Sequence, residues 1–169
     1  DVPVQQFYVQ STFKVPSFPL VDIFFDARIK KGRIFFKYNN ITSNNIARIK
    51  TDGSLDATFI TGTGANGAIW STALQSDGKI IIGGNFTSYN GSPMNKIARL
   101  NTDGSLDLSF VVGSGIDNDS IVYTTAIQPD GKIIIGGDFT TVNGVSRSYI
   151  ARLNSEGALD VNFNPSTSG

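Results

Sequence analysis

Gln75-Ser-Asp-Gly-Lys-Ile-Ile-Ile-Gly-Gly-Asn-Phe-Thr87 returns as Gln128-Pro-Asp-Gly-Lys-Ile-Ile-Ile-Gly-Gly-Asp-Phe-Thr140, a step of 53 residues. The same step carries Ile97-Ala-Arg99 to Ile150-Ala-Arg152 and Thr102-Asp-Gly-Ser-Leu-Asp107 to Ser155-Glu-Gly-Ala-Leu-Asp160. Ile46-Ala-Arg48 and Thr51-Asp-Gly-Ser-Leu-Asp56 stand 51 residues before their counterparts. A repeat of about 50 residues marks solenoids, propellers or arrays, in which each unit buries its faces only against its neighbours. An offset of 46 lays residues 23–38 on 69–84 and Phe13 on Phe59, which adds a divergent first unit and, before it, one strand from the end of another.

Within the second unit, residues 69–75, 79–86, 95–101 and 106–111 are short, rich in β-branched side chains and separated by Gly, Asp and Asn. They are expected as four antiparallel strands. Ser76-Asp-Gly78 and Thr102-Asp-Gly104 read as three-residue hairpin loops whose glycine takes the left-handed position, so Gly53, Gly78, Gly104, Gly131 and Gly157 are expected at positive φ. With 102–104 as the loop, Asn101 faces Ser105 and Arg99 stands opposite Asp107. The same spacing pairs Arg48 with Asp56 and Arg152 with Asp160, as structural pairs that fix register. Ile80 to Ile82 are apolar without alternation, which expects both faces of that strand to be covered.

These residues, 73–87 followed by 97–107, resemble the delta-60 repeat. The resemblance covers units two and three nearly completely and unit one weakly, where Lys37 and Tyr38 replace the Gly-Gly pair and Phe24, Phe25, Phe35 and Phe36 replace smaller residues. It implies a β-propeller-like domain of the kind found in secreted or surface-anchored bacterial proteins, and it carries no catalytic residue over. The expected architecture is all-β and β-propeller-like. A single domain, 1–169, would hold three four-stranded antiparallel blades at about 22–60, 69–111 and 121–164, as a partial propeller or open arc, with an extra N-terminal strand at 8–14.

Closed propellers have about four to eight blades. Three therefore ask for completion by a protein partner, a further chain segment or a homo-oligomer. Composition narrows the partners. The 169 residues contain no Cys and no His, which removes disulfides, the usual zinc ligands, thiol nucleophiles and the imidazole base. Lys+Arg 14 balance Asp+Glu 14, so neither nucleic acid nor an anionic membrane surface is expected as a partner. Apolar runs fall far short of the roughly 20 residues of a membrane-spanning helix, so no membrane insertion is expected either. No metal or cofactor is expected.

Candidate chemistry is sparse. All but one of the acidic residues are Asp, mostly at hairpin positions where a carboxylate bonds its own backbone. Asp117 to Ser120 lack the ligand count of a calcium loop. A carboxylate pair for glycoside hydrolysis could be assembled in space from Asp26, Asp138 and others, yet nothing local marks an acid with a raised pKa. The segments 87–96 and 140–149 are the most promising variable surface. Tyr89, Asn90, Asn143 and Tyr149 supply aromatic and amide groups suited to a sugar face and its hydroxyls. Trp70, laid on Val122 and Phe24, reads as core, while Asn40, Asn85, Asn90 and Asn118 meet the Asn-x-Ser/Thr pattern. The expected function is a noncatalytic structural or adhesive module of a secreted, cell-surface or virion-attached assembly, with a glycan-binding module as the alternative and a hydrolase segment third.

Overall fold

In a computed structural model, the described residues are 34–36, 46–117 and 119–165. They contain strands and turns and no helix. Unit one contributes β1 (Ile34–Phe36) and β2 (Ala47–Ile49). Unit two contributes β3 (Ile69–Leu74), β4 (Ile80–Gly84), β5 (Ser88–Tyr89), β6 (Ser92–Pro93) and β7 (Ile97–Leu100). Unit three repeats this as β8 (Val122–Ile127), β9 (Ile133–Gly137), β10 (Thr141–Val142), β11 (Val145–Ser146) and β12 (Ile150–Leu153). The expected N-terminal strand at 8–14, and with it Phe13, Phe24, Phe25, Asp26, Lys37, Tyr38, Asn40 and Asn118, lie outside the described residues, as does most of the expected first blade.

The hairpin loops follow the loop chemistry. Gly78 N–H donates to Gln75 O at 3.0 Å and Gln75 N–H to Lys79 O at 2.8 Å, closing a three-residue loop with Gly78 at φ 86°. Gly53, Gly104, Gly131 and Gly157 take φ values of 84°, 89°, 81° and 98°. β3, β4 and β7 form one antiparallel sheet and β8, β9 and β12 another. Arg99 lies opposite Ile81 and Arg152 opposite Ile134. β1 and β2 pair in the same register, Phe35 opposite Arg48, as the offset of 46 requires.

The main sheets of units two and three have three strands each, not four. Residues 106–111 give one bridge, Leu100 with Leu106, and the other units do the same with Ile49–Leu55 and Leu153–Leu159. The ladder stops because the next residue is an aspartate. The Asp107 carboxylate accepts the N–H and hydroxyl of Ser109 at 3.0 and 2.6 Å, and Phe110 N–H donates to Asp107 O at 3.2 Å. The chain therefore turns where a fourth strand would continue.

Between β4 and β7 the backbone makes an excursion, the β5–β6 hairpin, on a two-residue Asn90-Gly91 turn at φ 50° and 78°. Asn143-Gly144 does the same in unit three at 52° and 73°. Two consecutive positive φ values are the type I′ geometry that Asn-Gly favours.

β4 is covered on both faces. Ile80, Ile82, Ala98 and Leu100 join Ile46, Phe59, Ile69, Phe86 and Tyr89 in a core shared with unit one. Ile81 and Ile97 point the other way, into a core with Val122, Ile133, Ile135, Phe139 and Val142 of unit three. The sheets stack through β3 and β4 against β8, where Ser71 Oγ lies 2.9 Å from both Thr125 Oγ1 and Thr125 N. Gly83 permits this approach, since a Cβ there would stand 2.7 Å from Val122 Cγ1. At Gly84 a Cβ would run into the backbone carbonyl of Ala68. Gly84→Ala is accordingly expected to destabilise by about 3 kcal/mol, more than Gly83→Ala, because backbone yields less readily than a side chain. Urea denaturation of the two variants checks the order.

Candidate functional site

The densest polar constellation is an arginine clamp built three times. Strand register sets Arg99 across from Asp107, and Arg99 Nε donates to Asp107 Oδ2 at 2.8 Å. Its Nη2 donates to Ser109 Oγ at 3.1 Å, and its guanidinium carbon lies 4.9 Å from the centre of the Phe110 ring. Nη1 crosses to unit three and donates to Ser155 O at 2.5 Å. Unit one repeats the set: Arg48 holds Asp56 at 2.8 Å, lies 4.8 Å over Phe59 and donates to Thr102 O of unit two. In unit three Arg152 holds Asp160 at 3.0 Å and lies 4.6 Å over Phe163. Lys79 and Lys132 add a second cation to Asp107 and Asp160, at 2.7 and 3.1 Å. The recurrence of Phe three residues after each Asp was visible in the sequence, but its role as a ring under the guanidinium was not read from it.

These bonds hold the carboxylates ionised. The Thr58 hydroxyl and amide, then Arg48, bring Asp56 from 3.8 down to about 2. Burial raises Asp107, but Lys79, Ser109 and Arg99 outweigh it and leave its carboxyl well below the ordinary range. Lys132 and then Arg152 lower Asp160. Asp117 is likewise lowered: burial opposes ionisation, while the Ser120 hydroxyl at 2.5 Å and the amides of Thr141 and Thr140 favour it. Its oxygens tie a loop to the β9–β10 connection.

The loop residues chosen for sugar contact serve the frame instead, with one exception. Tyr89 is fully buried and its hydroxyl donates to Gly104 O at 2.9 Å, so its ring offers no face to a ligand. Asn90 Oδ1 accepts Thr63 N–H at 3.1 Å and Asn143 Oδ1 accepts Ser114 N–H at 3.0 Å, each tying its turn to a second turn, at 61–64 and 112–115. Tyr149 is exposed, at φ 69°, the conformation that Lys96 shares at the equivalent place.

A second surface was missed. Trp70 is not core: it is 49% exposed and meets Tyr123, 48% exposed, edge to face with ring centres 6.2 Å apart. The step of 53 residues matches Trp70 to Tyr123, not Val122, and a slip of one residue exchanges the faces of a strand. Tyr123 donates to Asp138 Oδ2 at 3.0 Å, which raises the phenol's pKa, and Asp138 Oδ1 accepts Ile121 N–H at 2.5 Å. Among the described residues no group of His, Cys, Asp and Glu is arranged to hold a metal ion.

The Arg99 and Arg152 clamps differ in exposure, and this sets their expected weights. Arg99→Ala leaves a buried carboxylate and an unmet carbonyl and is expected to cost about 3 kcal/mol or more, whereas Arg152→Ala is expected to cost under about 1 kcal/mol. Chemical denaturation measures both. The carboxylates also fix the acid response. Their folded pKa values lie below 3.8, so the unfolded chain binds more protons in acid. The stabilisation is complete at neutral pH and is lost as the pH falls from 3.8 towards 2. Urea midpoints across that range are expected to fall, and Asp107→Asn to flatten the fall while lowering stability at neutral pH.

Comparison with known families agrees with the repeat. Residues 75–110 and 128–163 match the family model described as Domain of unknown function (DUF5122) beta-propeller. A second model, described as Putative porin, matches residues 2–50. No curated protein matches the chain. Among the described residues no helix is long and apolar enough to cross a membrane, a statement that leaves β-barrels aside. The first match spans β4 to Phe110 and β9 to Phe163, and so contains the clamps of Arg99 and Arg152. Units two and three of this chain are repeats of the DUF5122 β-propeller family, the delta-60-type repeat that their residues resemble.

Proposed function

We propose that the chain is a noncatalytic structural or adhesive module of a secreted, cell-surface or virion-attached assembly, working through protein–protein contacts. The exposed Trp70–Tyr123 pair carries this proposal: equivalent residues of successive units stand side by side on a stiff frame, in the aromatic chemistry that dominates protein interfaces. The carboxylates of Asp56, Asp107, Asp117 and Asp160 are engaged in clamps and turns that lower their pKa, the opposite of what a general acid needs. The porin-type match at 2–50 supports a surface setting.

A glycan-binding role is the second proposal. Tyr149 stays exposed, and Trp70 with Tyr123 and Asp138 offers ring faces beside a carboxylate. A glycan array and a panel of nitrophenyl glycosides separate the roles. The structural module is expected to bind no glycan and to turn over no glycoside. Saturable glycan binding that is lost in Trp70→Ala or Tyr149→Ala would establish the second role and overturn the first. Turnover abolished by Asp138→Asn would overturn both.

A further inference from the structure

Beyond the contact role proposed above, and resting like it on the Trp70–Tyr123 surface, we propose that these two rings and Asp138 bind a small ligand bearing a quaternary ammonium group, of the choline type. The two aromatic side chains are placed by the same device. Ile69 pairs with Gly84 and Ser71 with Gly83, so Trp70 is the extra residue of a β-bulge in β3. Val122 pairs with Gly137 and Thr124 with Gly136, which leaves Tyr123 as the extra residue at the equivalent point of β8. A bulge re-aims a side chain out of the alternation of its strand. Both rings therefore stand half in water, while Ile69 and Val122 beside them are buried. Ser71 Oγ, 2.9 Å from Thr125 Oγ1, ties the two strands together close to the pair.

With their planes 74° apart, edge to face, the rings form two walls of a corner and share no plane. A flat platform suits the face of a sugar, whereas a cation is attracted to the face of each ring it touches. The opposite charge is supplied at the phenol end. Tyr123 donates to Asp138 Oδ2 at 3.0 Å and Ile121 N–H donates to Asp138 Oδ1 at 2.5 Å, so the carboxylate is fixed there. A phenol that donates to a carboxylate has a more electron-rich ring, which strengthens its pull on a cation. Each carboxylate oxygen already has a donor. An ammonium with N–H groups would compete for those oxygens, but a quaternary one has no N–H and needs only the field and the ring faces.

The frame does not need this charge. The step of 53 residues lays Asp138 on Asn85, and the two residues make the same backbone bond: Asn85 N–H donates to Ala68 O at 3.0 Å and Asp138 N–H to Ile121 O at 3.2 Å. A neutral amide serves the architecture in unit two, so the carboxylate of unit three is surplus to folding and available to a ligand.

Trp70 is the only tryptophan of the chain, and its fluorescence reports the site directly. Titrating the full chain with tetramethylammonium chloride and with choline chloride is expected to give a saturable change at millimolar concentration, and potassium chloride at the same ionic strength none. The uncharged isostere of choline, 3,3-dimethylbutan-1-ol, is expected to bind about tenfold more weakly or less. Asp138→Asn gives unit three the residue that unit two already carries, and should weaken choline binding about tenfold while keeping the urea midpoint of the parent. Tyr123→Leu, at an exposed side chain, should abolish saturation and tests the site even if Asp138→Asn is less stable. A response to choline that never saturates, equal binding of the alcohol, or saturation that either variant leaves unchanged would overturn the proposal. None of these results touches the noncatalytic role, which falls instead to the glycan and glycoside assays.

Discussion

One guanidinium per unit ties the structure together. Arg99 faces a carboxylate on the next stretch of its own sheet, an aromatic ring beneath it and a carbonyl of the following unit. A planar group with five donors in fixed directions can meet these partners at once, and a lysine ammonium cannot. Removing the arginine from water is costly, and the carboxylate, the ring and the carbonyl together offset that cost. The clamp couples the register of one sheet to the placement of the next, so strand pairing and unit stacking are set by the same side chain.

How much of this was legible depends on the distance involved. Arg99 and Asp107 could be paired from the sequence because a three-residue loop with glycine at its end leaves one register. The bond from Arg99 to Ser155 could not, because the partners are 56 residues apart and their meeting depends on how two sheets cross. The strand at 106–111 ends early for a local reason: its apolar and β-branched residues suit a strand, but the Asp107 carboxylate accepts the N–H and the hydroxyl of Ser109 first. Propensity lost to a side-chain turn.

The surface was harder to read than the frame. Tyr89 and Tyr149 occupy similar stretches of sequence and have opposite fates, one with its hydroxyl on Gly104 O inside the core and the other in water. The repeat separates them: Tyr89 stands at the hairpin position of buried Val142, and Tyr149 follows the hairpin at the position of Lys96. Lys96 and Tyr149 share a left-handed backbone at equivalent positions, where each N–H donates to the carbonyl of a buried phenylalanine, Phe86 or Phe139. Backbone strain that recurs in successive units at the same hydrogen bond belongs to the architecture and marks no separate site.

The alternating allegiance of β4 reaches beyond this chain. Ile80 and Ile82 belong to the core on one side and Ile81 to the core on the other, so a unit cut from the stack leaves half of each core behind. Every unit is an adapter with a plug on one face and a socket on the other, both cut to the same pattern. Copying one unit whole and inserting it beside its parent creates no mismatched boundary. Arrays of this kind can therefore lengthen or shorten by tandem duplication and loss, while a change inside a unit must satisfy two neighbours at once.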